Sequence, residues 1–519
     1  MRAHLRSRVA ALALLWGVGP SSACDDPTVV VGKLPASAAD SGSRSAPESE
    51  DRADTGASAV DAGAVAQPAS AAPAAPSGGA PGAQLDDARY HVSIEAGSRD
   101  ALCAGRGVPL TGTRANGTGA DCAWRAERQL FAYGICACEE LRLTGPAFEL
   151  DSFDSSAGVY RPGETGSAAG VNGVLTQLAD DTRLLGSLML SGREALAVRA
   201  QRLLVAGDMK TNAALRVSSG NLRVGRDLRS SGEIVASPGS LQVGRDMYLP
   251  SAASGVDAAS VSGRVIETGD VRVAAPCACG ADTKLDIAAL IAQAANANDN
   301  ALAGFAPDAL ALPMYVTDLK PLPCGRLYVT RVELPGLSTH VMLVPGRSAL
   351  FVQGDLHIGS VATLAITPAA TGELDVFVGG DLIVEANSTL SLGDSARPAA
   401  VRMYVAGEIR AQGAIVLAGQ LYAPEASVAF PAPDGELWGS IFARKVQIAS
   451  KRMHYDRAIL RAGPTCSAAA PQRCDGCDQC PQDLACVAGR CGACTRDADC
   501  CEPASCTDGR CQLLTSTWP

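Results

Sequence analysis

The chain has 519 residues, a net charge of −10 and 47% hydrophobic residues, but only 4% aromatic ones. Its length allows about three or four domains, and its acidic balance leaves no clustered Lys/Arg footprint for nucleic acid. A core so poor in aromatics has to be built from Val, Leu, Ile and Ala, which suits thin layers of stacked strands.

Residues 1–23 read as a signal peptide: a basic start, an apolar run from Val9 to Val18, then small residues at Ser21-Ser22-Ala23. The run falls short of the about 20 residues that a spanning helix needs. Small residues followed by Cys24 resemble the lipobox of bacterial lipoproteins. That resemblance implies a lipid anchor on Cys24, with plain cleavage after Ala23 as the alternative. Of 19 cysteines, 19 − 1 = 18 then remain for pairing. So many cysteines point to an oxidising compartment.

Residues 24–84 are rich in Ala, Pro and Ser and have too few large apolar side chains to offset ordering entropy, so they read as a disordered tether. Residues 85–150 read as a small unit holding Cys103, Cys122, Cys136 and Cys138 among Trp124, Phe131 and Tyr133. Four cysteines leave three pairings open. Residues 148–173 lack periodicity and read as a covering loop.

Residues 151–463 carry a recurring phrase. It appears as Val205-Ala-Gly-Asp208-Met209, Val224-Gly-Arg-Asp227-Leu228 and Val243-Gly-Arg-Asp246-Met247. It returns as Val352-Gln-Gly-Asp355-Leu356, Val378-Gly-Gly-Asp381-Leu382 and Val405-Ala-Gly-Glu408-Ile409. A period of about 19 and then about 26 to 27 residues predicts stacked repeats. Burying Arg226 or Arg245 between two apolar contacts would be costly, so the strand has to bend at Gly-Arg-Asp. The predicted fold is mainly β: a right-handed parallel β-helix with small disulfide-rich modules. A helical insert near 283–298, N-capped by Asp282, divides the repeats into two blocks. Cys277 and Cys279 precede it and Cys324 follows; we expect one of the two to bond Cys324 and the other Cys466.

Stacked coils would align Asp355, Asp381 and Glu408 into a possible calcium ladder, against the plainer role of acids at corners. The acids are scattered, and His91, His340, His357 and His454 stand far apart. His454-Tyr455-Asp456 reads as a strand end, since neighbouring strand residues face opposite ways. No Gly-x-Ser-x-Gly elbow or phosphate-binding loop is present. No catalytic residue and no cofactor is assigned.

The Val-x-Gly-Asp-Leu phrases, with Leu421-Tyr422-Ala423-Pro424, Gly439-Ser440-Ile441-Phe442-Ala443 and His454-Tyr455-Asp456, resemble an exported bacterial β-solenoid family of unknown function. They are loosely similar to bactofilins and other polymer-forming β-helix proteins. The resemblance covers about half the chain and implies architecture and surface location.

Residues 464–519 hold Cys466, Cys474, Cys477, Cys480, Cys486, Cys491, Cys494, Cys500, Cys501, Cys506 and Cys511. Such density marks a disulfide scaffold. An iron–sulfur run fails because Leu484 occupies the fourth ligand position, and a zinc site completed by Cys491 and Cys494 competes with disulfides. The spacing resembles Dickkopf and EGF-like modules. Together these features predict an exported cell-envelope protein, held to an outer membrane or cell surface by its lipid. Its role would be structural or adhesive toward polysaccharide or surface proteins. The alternative is a carbohydrate-active enzyme, a lyase or glycosidase, which would need clustered carboxylates and basic groups on one face.

Overall fold

The computed structural model describes residues 90–114, 126–162, 165–199, 201–250, 260–269, 271–431 and 435–462. Within the C-terminal segment it describes 474, 477, 480, 484–501, 504–507 and 509–512. The expected signal peptide, Cys24, the tether, Cys122, Trp124 and Cys466 lie outside the described residues. The described residues all lie within the unit 83–519.

The fold is mainly β, with most strands paired in parallel. Short alternating stretches make the strands: Leu350 and Val352 point to an inner core while Phe351 points the other way, and all three are buried. Strands recur as three ladders. In the first, Gly325–Val329, Arg347–Val352, Glu373–Val378 and Val401–Val405 follow one another in register. In the second, Thr317–Pro321, Thr339–Val344, Thr363–Pro368 and Thr389–Gly393 do the same. The third joins Val332–Leu334, Leu356–Ile358, Leu382–Val384 and Ile409–Ala411. The long strands Ala414–Phe430 and Glu436–Ala449 then serve more than one ladder.

Order in space departs from order in sequence. Ile135–Thr144 pairs with Glu436–Ala449 on one side and with Ala169–Val171 and Val174–Gln177 on the other. Ala147–Phe153 likewise lies between Arg452–Asp456 and Asp181–Leu184. From there the short repeats continue through Arg202–Val205, Asn221–Val224 and Leu241–Val243. The two repeat blocks are therefore joined through residues 135–153 and are not divided by the helix. Residues 135–153 belong to this stack, which corrects the expected separate unit at 85–150 and the covering loop at 148–173.

The chain starts in mid-stack, winds to one end, crosses back and winds in from the other end. Two asparagines hold the return segment. The Asn212 amide bonds Val273 N and O at 2.8 Å each, and the Asn172 amide bonds Cys277 O at 2.8 Å and N at 2.9 Å. The helix is Ile287–Asn296, N-capped by Asp286, whose Oδ1 accepts from Ala289 N at 2.9 Å. Asp282 is not its cap, because Thr283 and Lys284 are spent in a turn on Gly280.

Two apolar cores result. The inner one is aliphatic, with Leu203, Val205, Leu222 and Val224 fully buried. The outer one covers the first ladder, where Phe351, Phe377 and Tyr404 stack at 4.8 and 4.4 Å. Leu290, Ile291 and Ala294 of the helix close it over. Beneath that cover Arg402, fully buried, bonds Asp375 at 2.7 and 2.8 Å and Glu373 at 3.1 Å.

Disulfides join Cys103 to Cys324, Cys136 to Cys277 and Cys138 to Cys279. This replaces the expected bond from Cys277 or Cys279 to Cys324 and leaves neither of them for Cys466. The reason is the crossing, which lays residues 277–279 beside strand Ile135–Thr144. The C-terminal segment repeats one pattern: Cys474–Cys486 and Cys480–Cys491, then Cys494–Cys506 and Cys500–Cys511, with Cys477–Cys501 between. Each half carries a hairpin, Ala485–Val487 with Arg490–Gly492 and Ser505–Thr507 with Arg510–Gln512.

Candidate functional site

The recurring acids sit at the bends between strands and bond from repeat to repeat. Asp227 N donates to Asp208 Oδ1 at 3.1 Å, Asp246 N to Asp227 Oδ1 at 3.2 Å and Arg264 N to Asp246 Oδ1 at 2.8 Å. In the other block Asp381 N donates to Asp355 Oδ1 at 2.7 Å and Glu408 N to Asp381 Oδ1 at 2.9 Å. Arginines from the next repeat cover the carboxylates: Arg226 on Asp208 at 3.6 Å, Arg245 on Asp227 at 3.5 Å. Burial pushes the Asp208 carboxyl up despite Arg226. Arg226 also meets Asp497 of the C-terminal segment at 3.0 Å. Asp355 and Asp381 thus serve backbone amides, and Glu408 accepts from Ser427 N at 3.3 Å and from Arg444 at 3.1 Å. Among the described residues, the sets of three close enough to share an ion are Cys474/Cys480/Cys491 and Cys494/Cys500/Cys511, whose sulfurs are in disulfides.

The histidines separate. His340 is buried with both ring nitrogens lacking a hydrogen bond. His357 lies between Glu333 and Glu385 at 3.2 and 3.0 Å. His454 is buried behind a groove of about 1110 Å³ that runs along the outer side of the second ladder and is lined by Glu436, Trp438 and Arg452. Its neighbours in sequence turn away: Tyr455 donates to Phe131 O at 2.7 Å, and Asp456 accepts from Ser155 N and Ala399 N at 3.0 Å each.

Parallel register builds the groove wall. Glu436 pairs with Arg452, Arg452 with Glu149 and Glu149 with Arg183, so charge alternates on four successive strands. Two residues along, on the same face, Ala418, Trp438, His454 and Asp151 form the adjacent row. Arg183 lies 3.8 Å from Glu149 and 3.1 Å from Asp181. Asp181 also accepts from Arg202 at 2.8 Å, and that bond first of all holds its carboxyl below the usual range.

Behind the wall His454 Nδ1 meets Asp151 Oδ1 at 2.7 Å, and the Tyr160 hydroxyl donates to Asp151 Oδ2 at 2.6 Å. Burial and the adjoining Asp151 push the Tyr160 phenol up. The His454 ring packs between Tyr160 and Trp438 at 4.4 and 4.3 Å. Nε2 is buried without a hydrogen bond, 3.6 Å from Glu436.

Sequence reasoning missed this groove. Glu436-Leu437-Trp438 and Arg452-Met453-His454 carry the alternation of a half-exposed strand. Their partners at 149–151 and 183 lie about 300 residues away, where no periodicity connects them.

Residues 279–462 match a family described as a domain of unknown function (DUF7305). No curated protein and no solved structure matches the chain.

Proposed function

We propose that this chain is an exported, lipid-anchored surface protein whose stack is a right-handed parallel β-helix with a structural or adhesive role. The observation carrying this reading is the disulfide set. All 16 described cysteines are bonded, three of the bonds spanning 221, 141 and 141 residues, which suits a rigid rod in an oxidising envelope. In this reading Cys24 anchors the rod, residues 24–84 hold it off the membrane, and the groove supplies a contact surface for polysaccharide or another surface protein. No helix among the described residues is long and apolar enough to cross a membrane. Fractionation with lipid labelling of the wild type and Cys24→Ser tests the anchor; a soluble, unlabelled wild type overturns it.

One observation favours the second reading, a carbohydrate-active enzyme. The groove sets Glu436 and Glu149 on either side of Arg452 and backs Glu436 with a buried histidine–carboxylate pair. Release of reducing ends from a soluble glycan, abolished by Glu436→Gln, would establish that reading in place of the adhesive one.

A further inference from the structure

We propose that the groove binds an extended, uncharged β-linked glycan, with Trp438 as its stacking platform and the Glu436–Arg452–Glu149–Arg183 row as its hydrogen-bonding track. This names the ligand class for the adhesive reading and rests on it for biological setting only.

Four observations converge. First, the groove is open and long enough to cross several strands, since its lining runs from Ser391 through Trp438 to Arg183. A chain can lie along it; a pocket for a small ligand would be closed. Second, the lining is close to neutral: Arg183, Lys451 and Arg452 stand against Glu149, Asp181, Asp394 and Glu436, a sum of 3 − 4 = −1. The cations are interleaved with carboxylates, so a polyanion meets repulsion at every second strand. Hydroxyl groups, which both donate and accept, satisfy such a track.

Third, Trp438 is held rigidly by edge contacts to Phe153 and Tyr160, 5.6 and 5.1 Å between centroids, while remaining half-buried in the groove wall. A fixed, partly exposed indole offers an apolar face at little entropic cost, which suits the C–H face of a pyranose ring. Beside it the exposed Glu436 adds a carboxylate acceptor to the track, with the buried His454 Nε2 3.6 Å behind it.

Fourth, the spacing is periodic. Strands in a ladder lie about 4.8 Å apart, so like groups recur about every 9.6 Å. The four strands of the row therefore present each partner twice at that spacing, which matches the disaccharide repeat of an extended β-linked chain. A compact or flexible α-linked chain does not hold that period.

Affinity gel electrophoresis of the secreted full chain tests this, with hydroxyethyl cellulose and mixed-linkage β-glucan cast in the gel, and dextran and alginate as comparisons. Retardation is expected in the two β-glucans only. Trp438→Ala should weaken it about tenfold, the scale of one lost stacking contact. Because Trp438 also packs on Phe153 and Tyr160, Glu149→Gln provides a second variant of nearly unchanged shape. It should weaken retardation several-fold at an unchanged melting temperature. No retardation by either β-glucan overturns the proposal, as does retardation by alginate alone or indifference to both substitutions. Fractionation is independent of this result, so a surface-located protein that ignores β-glucans sinks the groove assignment and leaves the surface reading standing.

Discussion

Replacing Arg402 by Met should be among the most damaging single changes away from the groove. Arg402 is fully buried under the cover of the first ladder. It donates to both oxygens of Asp375, to Glu373 Oε2 and to Ala399 O at 2.8 Å. Met fills most of the space but leaves Asp375, itself fully buried, with only the Tyr404 hydroxyl at 3.2 Å. Removing one member of a buried pair costs about 3–5 kcal/mol, because the partner charge stays desolvated. Burial already pushes the Asp375 carboxyl up in the intact protein, with Arg402 opposing. Without Arg402 it rises further, so the folded variant takes up a proton. A folded value above the unfolded one destabilises increasingly as pH rises past the unfolded value near 3.9. The loss should therefore be larger at pH 8 than at pH 5. Asp375→Leu combined with Arg402→Met removes the stranded charge and should recover most of the loss. Urea unfolding followed by circular dichroism, disulfides intact, reads all three proteins at both pH values. A loss below about 1 kcal/mol, or one independent of pH, would falsify the argument, since that is how an exposed arginine behaves.

Three further outcomes are expected. His340→Leu should stabilise the fold by about 1–3 kcal/mol, because two buried ring nitrogens without partners are replaced by apolar volume. Burial holds the His340 imidazole below its ordinary value of 6.5. Its contribution is therefore intact above that pH and is lost as pH falls through the folded value, and the Leu variant should flatten this acid limb in thermal melts. Gly393→Ala should cost more than about 2 kcal/mol, since Gly393 has φ +81° and an added Cβ would meet Ala418 O at 2.0 Å; an unchanged melting temperature refutes this. Removing both Cys136–Cys277 and Cys138–Cys279 by Ser substitutions opens a loop of 141 residues and should lower stability by about 4 kcal/mol on the chain-entropy account, Cys103–Cys324 still bracketing the loop, measured as a shifted denaturation midpoint.

Local chemistry was legible in the chain itself. The alternation through residues such as Leu350, Phe351 and Val352 specifies strands, because side chains on a strand face opposite ways whatever they meet later. The Gly-Arg-Asp bends were also legible, since burying an arginine between two apolar contacts is costly. A helix in the return segment was predictable from its spacing, though its cap was placed four residues early. Asp282 and Asp286 are equivalent as acids, and only the backbone path decides which of them reaches a free amide.

Tertiary structure alone decided how the pieces adjoin. Nothing in the repeats says that residues 135–153 lie between the two blocks, or that Cys136 and Cys138 find Cys277 and Cys279. Those pairings follow from the crossing, which Asn172 and Asn212 hold by backbone bonds that no residue pattern announces. The groove is the clearest case. Its charge row takes Glu436 and Arg452 from one end of the chain and Glu149 and Arg183 from the other. Strand periodicity fixes which way each side chain points, but register between distant strands is set by which coils stack, so the row exists only once the two blocks have met.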